Sequence, residues 1–117
     1  MQYLLMLRFP PGDGPQEGTP GFDDEMRRWG EIKDELKQAG AYVGASGLHL
    51  DATTTVRARD GELTVTDGPY AEAKEILFTF VIIDVPDLDA ATEWASKMPA
   101  AHYGSIEIQP MVGLETA

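Results

Sequence analysis

The sequence of 117 residues predicts one α+β domain of the ferredoxin-like kind, β-α-β-β-α-β with a β-hairpin inserted after the second strand. Three observations predict it. Two segments carry apolar residues at helical spacing, and each lies between segments with strand patterning. Two runs, Leu4 to Leu7 and Ile76 to Val85, are apolar on both faces and so belong at the centre of a sheet. Between them, Asp60-Gly61 joins two β-prone stretches, and that dipeptide tolerates the positive φ angles of a two-residue turn.

The elements follow in order. Met1 to Phe9 reads as a strand, with Tyr3, Leu5, Leu7 and Phe9 on one face and Leu4 and Met6 on the other. Pro10 to Gly21 is too rich in proline and glycine for regular structure and is expected to be a mobile connector, or a lid over a site. A helix is expected from about Phe22 to Ala39. Its stripe is Phe22, Met26, Trp29, Ile32 or Lys33, Leu36 and Ala39, with Gly40 as the stop. Asp23 with Arg27 and Asp24 with Arg28 are spaced to pair along that helix.

Ala41 to Leu48 is a glycine-broken strand, and Thr53 to Arg59 with Glu62 to Thr66 form the hairpin. After the apolar strand Ile76 to Val85, Asp87 caps a second helix whose face is Leu88, Ala91, Trp94 or Ala95, and Met98, and which ends at Pro99. Ser105 to Met111 closes the sheet. There Ile106 and Ile108 alternate with Glu107 and Gln109, as befits an edge strand. Two helices cover one face of such a sheet. The other apolar face needs a cover, and a second copy forming a homodimer is the simplest one.

Composition bounds the function. Nine basic residues against 20 acidic ones give a net charge of −11, a field that repels phosphate backbones and anionic lipid. Nucleic acid and membrane surfaces are therefore not expected as partners. The absence of cysteine removes disulfides, zinc thiolate sites and thiol catalysis. Met1 to Phe9 lacks a basic leader and is too short to span a bilayer, so the expected location is the cytoplasm.

The densest polar stretch is Thr66 to Glu75. It holds the Asp67 and Glu72 carboxylates, the Tyr70 phenol and the Lys74 ammonium, groups that serve acid–base work and the binding of polar ligands. Asp67-Gly-Pro is also good turn chemistry, so Asp67 has a structural alternative. His49 and Asp51, at i,i+2, would share a strand face as an acid–base pair, whereas His102 reads as a solvated loop histidine. Two imidazoles are too few for a metal site, and no phosphate loop, serine elbow or cofactor motif is present.

Asp67-Gly-Pro-Tyr-Ala-Glu-Ala-Lys-Glu75, followed by Ile83-Asp-Val85, Leu88-Asp89 and Glu93-Trp-Ala95, resembles the YCII-related family. Within it, the resemblance is to the subgroup named for an Asp-Gly-Pro-Phe motif, with Tyr70 here in place of phenylalanine. It implies a dimeric α/β barrel related to muconolactone isomerase, a role in catalysis for an acid with a nearby histidine, and association with extracytoplasmic-function sigma factors. This sequence departs from the pattern at two points. Phe78-Thr79 replaces a small, glycine-rich pair, and residues 22–39 lack the histidine expected in the first helix.

The reading is thus a small-molecule enzyme of lyase or isomerase type, with Asp67 and His49 as catalytic candidates and Tyr70, Lys74 and Glu72 as ligand-binding ones. The alternative is a non-enzymatic ligand-binding or regulatory module working with a sigma factor.

Overall fold

A computed structural model of the chain describes residues 1–68 and 74–116. Its elements are β1 (Gln2–Phe9), α1 (Pro20–Gln38), β2 (Tyr42–Gly47), β3 (Thr54–Arg59), β4 (Glu62–Asp67), β5 (Ile76–Asp84), α2 (Leu88–Ser96), a 3-10 turn (Pro99–His102) and β6 (Ser105–Pro110). The main sheet runs β2-β5-β1-β6 with every neighbouring pair antiparallel, and β3-β4 form a separate two-stranded sheet. This α+β architecture is consistent with a ferredoxin-like fold, and β1 and β5 take the two central places. No helix among the described residues is long and apolar enough to cross a membrane.

Local chemistry sets the element ends. Thr19 caps α1, its hydroxyl accepting from the Phe22 amide, so Pro20 and Gly21 fall in the first turn of the helix and not in the preceding loop. Proline suits that place because its missing N–H would have no intrahelical partner there. At the other end Gly40 takes φ 69°, and the amides of Gly40 and Ala41 reach back to the carbonyls of Lys37 and Leu36, a Schellman closure. Asp60 and Gly61 both have positive φ, as a type I′ turn demands. The Asp87 carboxylate accepts from the Ala90 amide at 2.9 Å and starts α2.

Further expectations need correction. Arg27 and Arg28 both turn toward Glu31, at 2.7 and 3.2 Å, and not toward Asp23 and Asp24 as i,i+4 partners. One carboxylate between two guanidinium groups satisfies both, and only a 3.9 Å contact from Arg27 to Asp24 remains. His49 lies beyond the end of β2, and Leu50 and Asp51 in the turn that follows, because strand pairing stops after Gly47. In β5, strict alternation would put Phe78 on the same face as Phe80, and it does not lie there. The β1–β5 register slips between Leu7 and Arg8, and Phe78 is the unpaired residue of that bulge. It packs on the core, its ring edge-on to Phe9 at 5.0 Å.

The core lies between the sheet and the helices. Tyr3, Leu5 and Leu7 of β1 and Val81 and Ile83 of β5 are buried against Ile32 and Leu36 of α1, Ala91 and Ala95 of α2, and Met98. Leu4, Met6, Phe80 and Ile82 occupy the opposite face, half-buried in a single chain. The hairpin presents Val56, Leu63 and Val65 outward at 61, 68 and 59% exposure, so its apolar face is uncovered. The radius of gyration is 16.2 Å, against about 13 Å for a compact chain of this length.

Candidate active site

A cleft opens between α1 and the end of the sheet where the bulge lies. Its inner part has a volume of about 290 Å³. Glu25, Met26, Trp29 and Lys33 of α1, at helical spacing, form one wall; Tyr42, Ala45 and Gly47 of β2 with Phe78 and Thr79 of β5 form the floor; Pro99, Ala100 and Tyr103 close the end. The cleft continues outward into a second space of about 530 Å³, bounded by Asp13, Gly14, Pro15 and Glu17 on one side and Leu48, His49, Leu50 and Asp51 on the other. Glu25, Met26, Phe78, Thr79 and Tyr103 line both parts. The slip in β5 thus turns two successive side chains, Phe78 and Thr79, toward the site.

Tyr103 is fixed in place by two glycines. Gly104 follows it so closely against β1 that a side chain there would overlap the Arg8 carbonyl oxygen and lie 3.0 Å from Phe9 Cα. The Gly104 amide donates to the Ala100 carbonyl at 2.8 Å, closing the 3-10 turn. On the other side Gly14, at φ 86°, sits on the Tyr103 ring, where a Cβ would come within 2.8 Å of it. The Pro10 to Thr19 segment is a loop, as expected, and through Gly14 it packs directly on a residue of the site.

The polar centre is Glu25 with Tyr103. Burial, and then the facing Glu25 carboxylate through hydrogen bonding and charge, hold the Tyr103 phenol well above the usual tyrosine range. It therefore stays protonated and acts as a donor. On Glu25, Oε1 is buried and has no hydrogen-bond partner. A buried acceptor left unsatisfied is costly, and such atoms in folded proteins often mark a place that something else completes. Glu25 thus brings a carboxylate to the wall of a cleft that also carries the Lys33 ammonium, the Ser46 and Thr79 hydroxyls and the Tyr103 phenol among its apolar side chains.

The described residues among those singled out in the sequence are placed apart. His49 lines the outer cleft and is exposed. Asp67 is the last residue of β4, exposed and paired in register with Thr54; it lines neither part of the cleft. The next residue is held by the hairpin, with the Gly68 amide donating to the Thr53 carbonyl at 2.7 Å and Thr55 Oγ1 donating to the Gly68 carbonyl at 2.6 Å. Lys74 is exposed and also lines neither part. Tyr70 and Glu72 lie outside the described residues. Glu75, the end of the same motif, accepts from the Ser105 hydroxyl at 2.5 Å. No group of three or more histidine or carboxylate side chains among the described residues is arranged to hold a metal ion.

Sequence reasoning missed Glu25 and Tyr103. A signal for the first was available, since Glu25 stands three residues after Phe22 and four before Trp29, a carboxylate inside the apolar stripe of α1. Tyr103 offered none, because its burial depends on Gly14 and Gly104 meeting around it.

Residues 1–114 match the YCII-related domain family. The chain belongs to that family. An uncharacterized protein of Rhizobium meliloti (strain 1021) is 42% identical to it over 89 residues, which cover 74% of this chain and 72% of that protein. In this YCII-related protein the cleft lies on the helix side of the sheet, at one end of the two central strands.

Proposed function

We propose that this YCII-related protein binds a small molecule in the cleft and works on it by acid–base chemistry of lyase or isomerase type. The observation that carries the reading is Glu25 in the wall of a largely apolar cleft, one of its carboxylate oxygens buried without a hydrogen-bond partner, beside a phenol that keeps its proton. Tyr103 donates its one O–H to Glu25 and orients that carboxylate, and Glu25 is the group that can take a proton from a ligand held in the cleft. His49, at the mouth, is a second proton carrier. The subgroup named for the Asp-Gly-Pro-Phe motif, the dimeric barrel and a cytoplasmic location belong to the same reading. Its dimer uses the face of Leu4, Met6, Phe80 and Ile82, because apolar strands are stable when both faces are covered. Phe80→Asp would bury an unpaired charge there and dissociate or unfold the protein.

The test is a thermal-shift and NMR screen of small aromatic and hydroxylated fragments against wild type, Glu25→Gln and Tyr103→Phe. Fragments should shift resonances of cleft residues in the wild type, and each variant should weaken them. A screen whose hits ignore both substitutions would overturn the assignment.

A second reading, a regulatory module associated with a sigma factor, is favoured by one feature, the uncovered apolar face of Val56, Leu63 and Val65. Val65→Lys would abolish partner binding in that case and leave fragment binding in the cleft intact.

A further inference from the structure

We propose that the cleft takes a protonated amine carried on an apolar or aromatic body, with the ammonium group against Glu25. The inference rests on the ligand-binding reading above and adds the charge and shape of the ligand. The first argument is Glu25, which lines both parts of the cleft and whose Oε1, buried without a partner, gains one when the side chain turns to a donor on a bound ligand. A charged donor satisfies it best, because hydrogen bonds between opposite charges are roughly twice as strong as neutral ones.

The second argument is the field. Asp13, Glu17 and Asp51 bound the outer cleft, in a protein of net charge −11, so the mouth gathers cations and repels anions. The one lysine of the inner cleft does not cancel this. Lys33 stands eight residues beyond Glu25 on α1, roughly 12 Å along the axis, with its ammonium 5.9 Å from the centre of the Tyr42 ring. The third argument is the wall. Trp29, Phe78 and Met26 give an apolar body somewhere to lie. Tyr103, protonated, donates to Glu25 and adds no negative charge of its own.

Three probes of one shape separate the possibilities: 2-phenylethylamine, 2-phenylethanol and phenylacetate, titrated by calorimetry and followed by amide NMR. The amine should bind about tenfold tighter than the alcohol, a difference near 1.4 kcal/mol, and phenylacetate should bind weakest. Glu25→Gln should bring amine and alcohol to within about threefold of each other, while the charge-preserving Glu25→Asp should keep the preference for the amine. Melting curves of both variants establish that they are folded. An alcohol or carboxylate that binds the wild-type cleft as tightly as the amine overturns the inference and leaves the small-molecule reading standing. So does an amine preference that survives Glu25→Gln. If none of the three probes moves a cleft resonance, the small-molecule reading falls with it.

Discussion

Replacing Glu25 by Met and Tyr103 by Phe together converts the polar centre of the cleft into apolar surface of nearly the same shape, and should make the protein more stable. Oε1 of Glu25 is buried and unpartnered, and such an orphaned acceptor costs about 1–3 kcal/mol. Met keeps the length of the side chain and the helix propensity of Glu. Glu25→Met alone removes that cost but strands the Tyr103 hydroxyl, giving back about 1 kcal/mol. The double variant strands nothing. Its expected gain is about 1–2 kcal/mol, a rise of roughly 4–8 °C in Tm for a domain of this size. Urea denaturation of wild type, both single variants and the double variant measures it, with the slope m unchanged if the folded state is the same. Fragment binding in the cleft should disappear from the double variant at the same time, the trade of stability against function expected at a site. A double variant less stable than wild type by 1 kcal/mol or more would mean that the pair is there to hold the fold, and the reasoning would fail.

Three further outcomes follow from the same geometry. The Tyr103 phenol has a folded-state pKa raised above its unfolded value near 10, so the folded state keeps a proton that the unfolded state releases. Stability is intact below about pH 10 and falls above it, by up to about 1.4 kcal/mol per pH unit, and Tyr103→Phe should flatten that part of the profile in urea melts from pH 8 to 11. Gly104→Ala, whose Cβ would collide with the β1 backbone, should cost about 3 kcal/mol or more and be visible as a large drop in Tm. Asp67→Asn should change neither stability by more than about 0.5 kcal/mol nor fragment binding; a folded Asp67→Asn protein that loses binding would return Asp67 to the site.

Much of the fold was legible because it depends on local chemistry. The caps at Asp87 and Gly40, the Asp60-Gly61 turn, and the doubly apolar runs of β1 and β5 act within a few residues of themselves. The site was less legible because it is assembled from distant segments. Phe78 and Thr79 face the cleft through a slip in strand register that no pattern of period two contains. Tyr103 depends on glycines at 14 and 104, one of them 89 residues away in the chain. Of the stretch with the richest chemistry in the sequence, Gly68 is held by the hairpin and Glu75 by Ser105 of β6, while Tyr70 and Glu72 lie outside the described residues. Richness of residue types signals where polar groups are dense, and burial decides which of them a ligand meets.

The claim that the cleft beside Glu25 is the ligand site is tested most directly by amide chemical-shift mapping of the 15N-labelled protein with 2-phenylethylamine. The account predicts that the largest shifts fall on Glu25, Trp29, Gly47, Thr79 and Tyr103, saturate at a single affinity, and vanish in Glu25→Gln. Shifts centred on the hairpin residues Thr54 to Asp67, with those five unmoved, would contradict it.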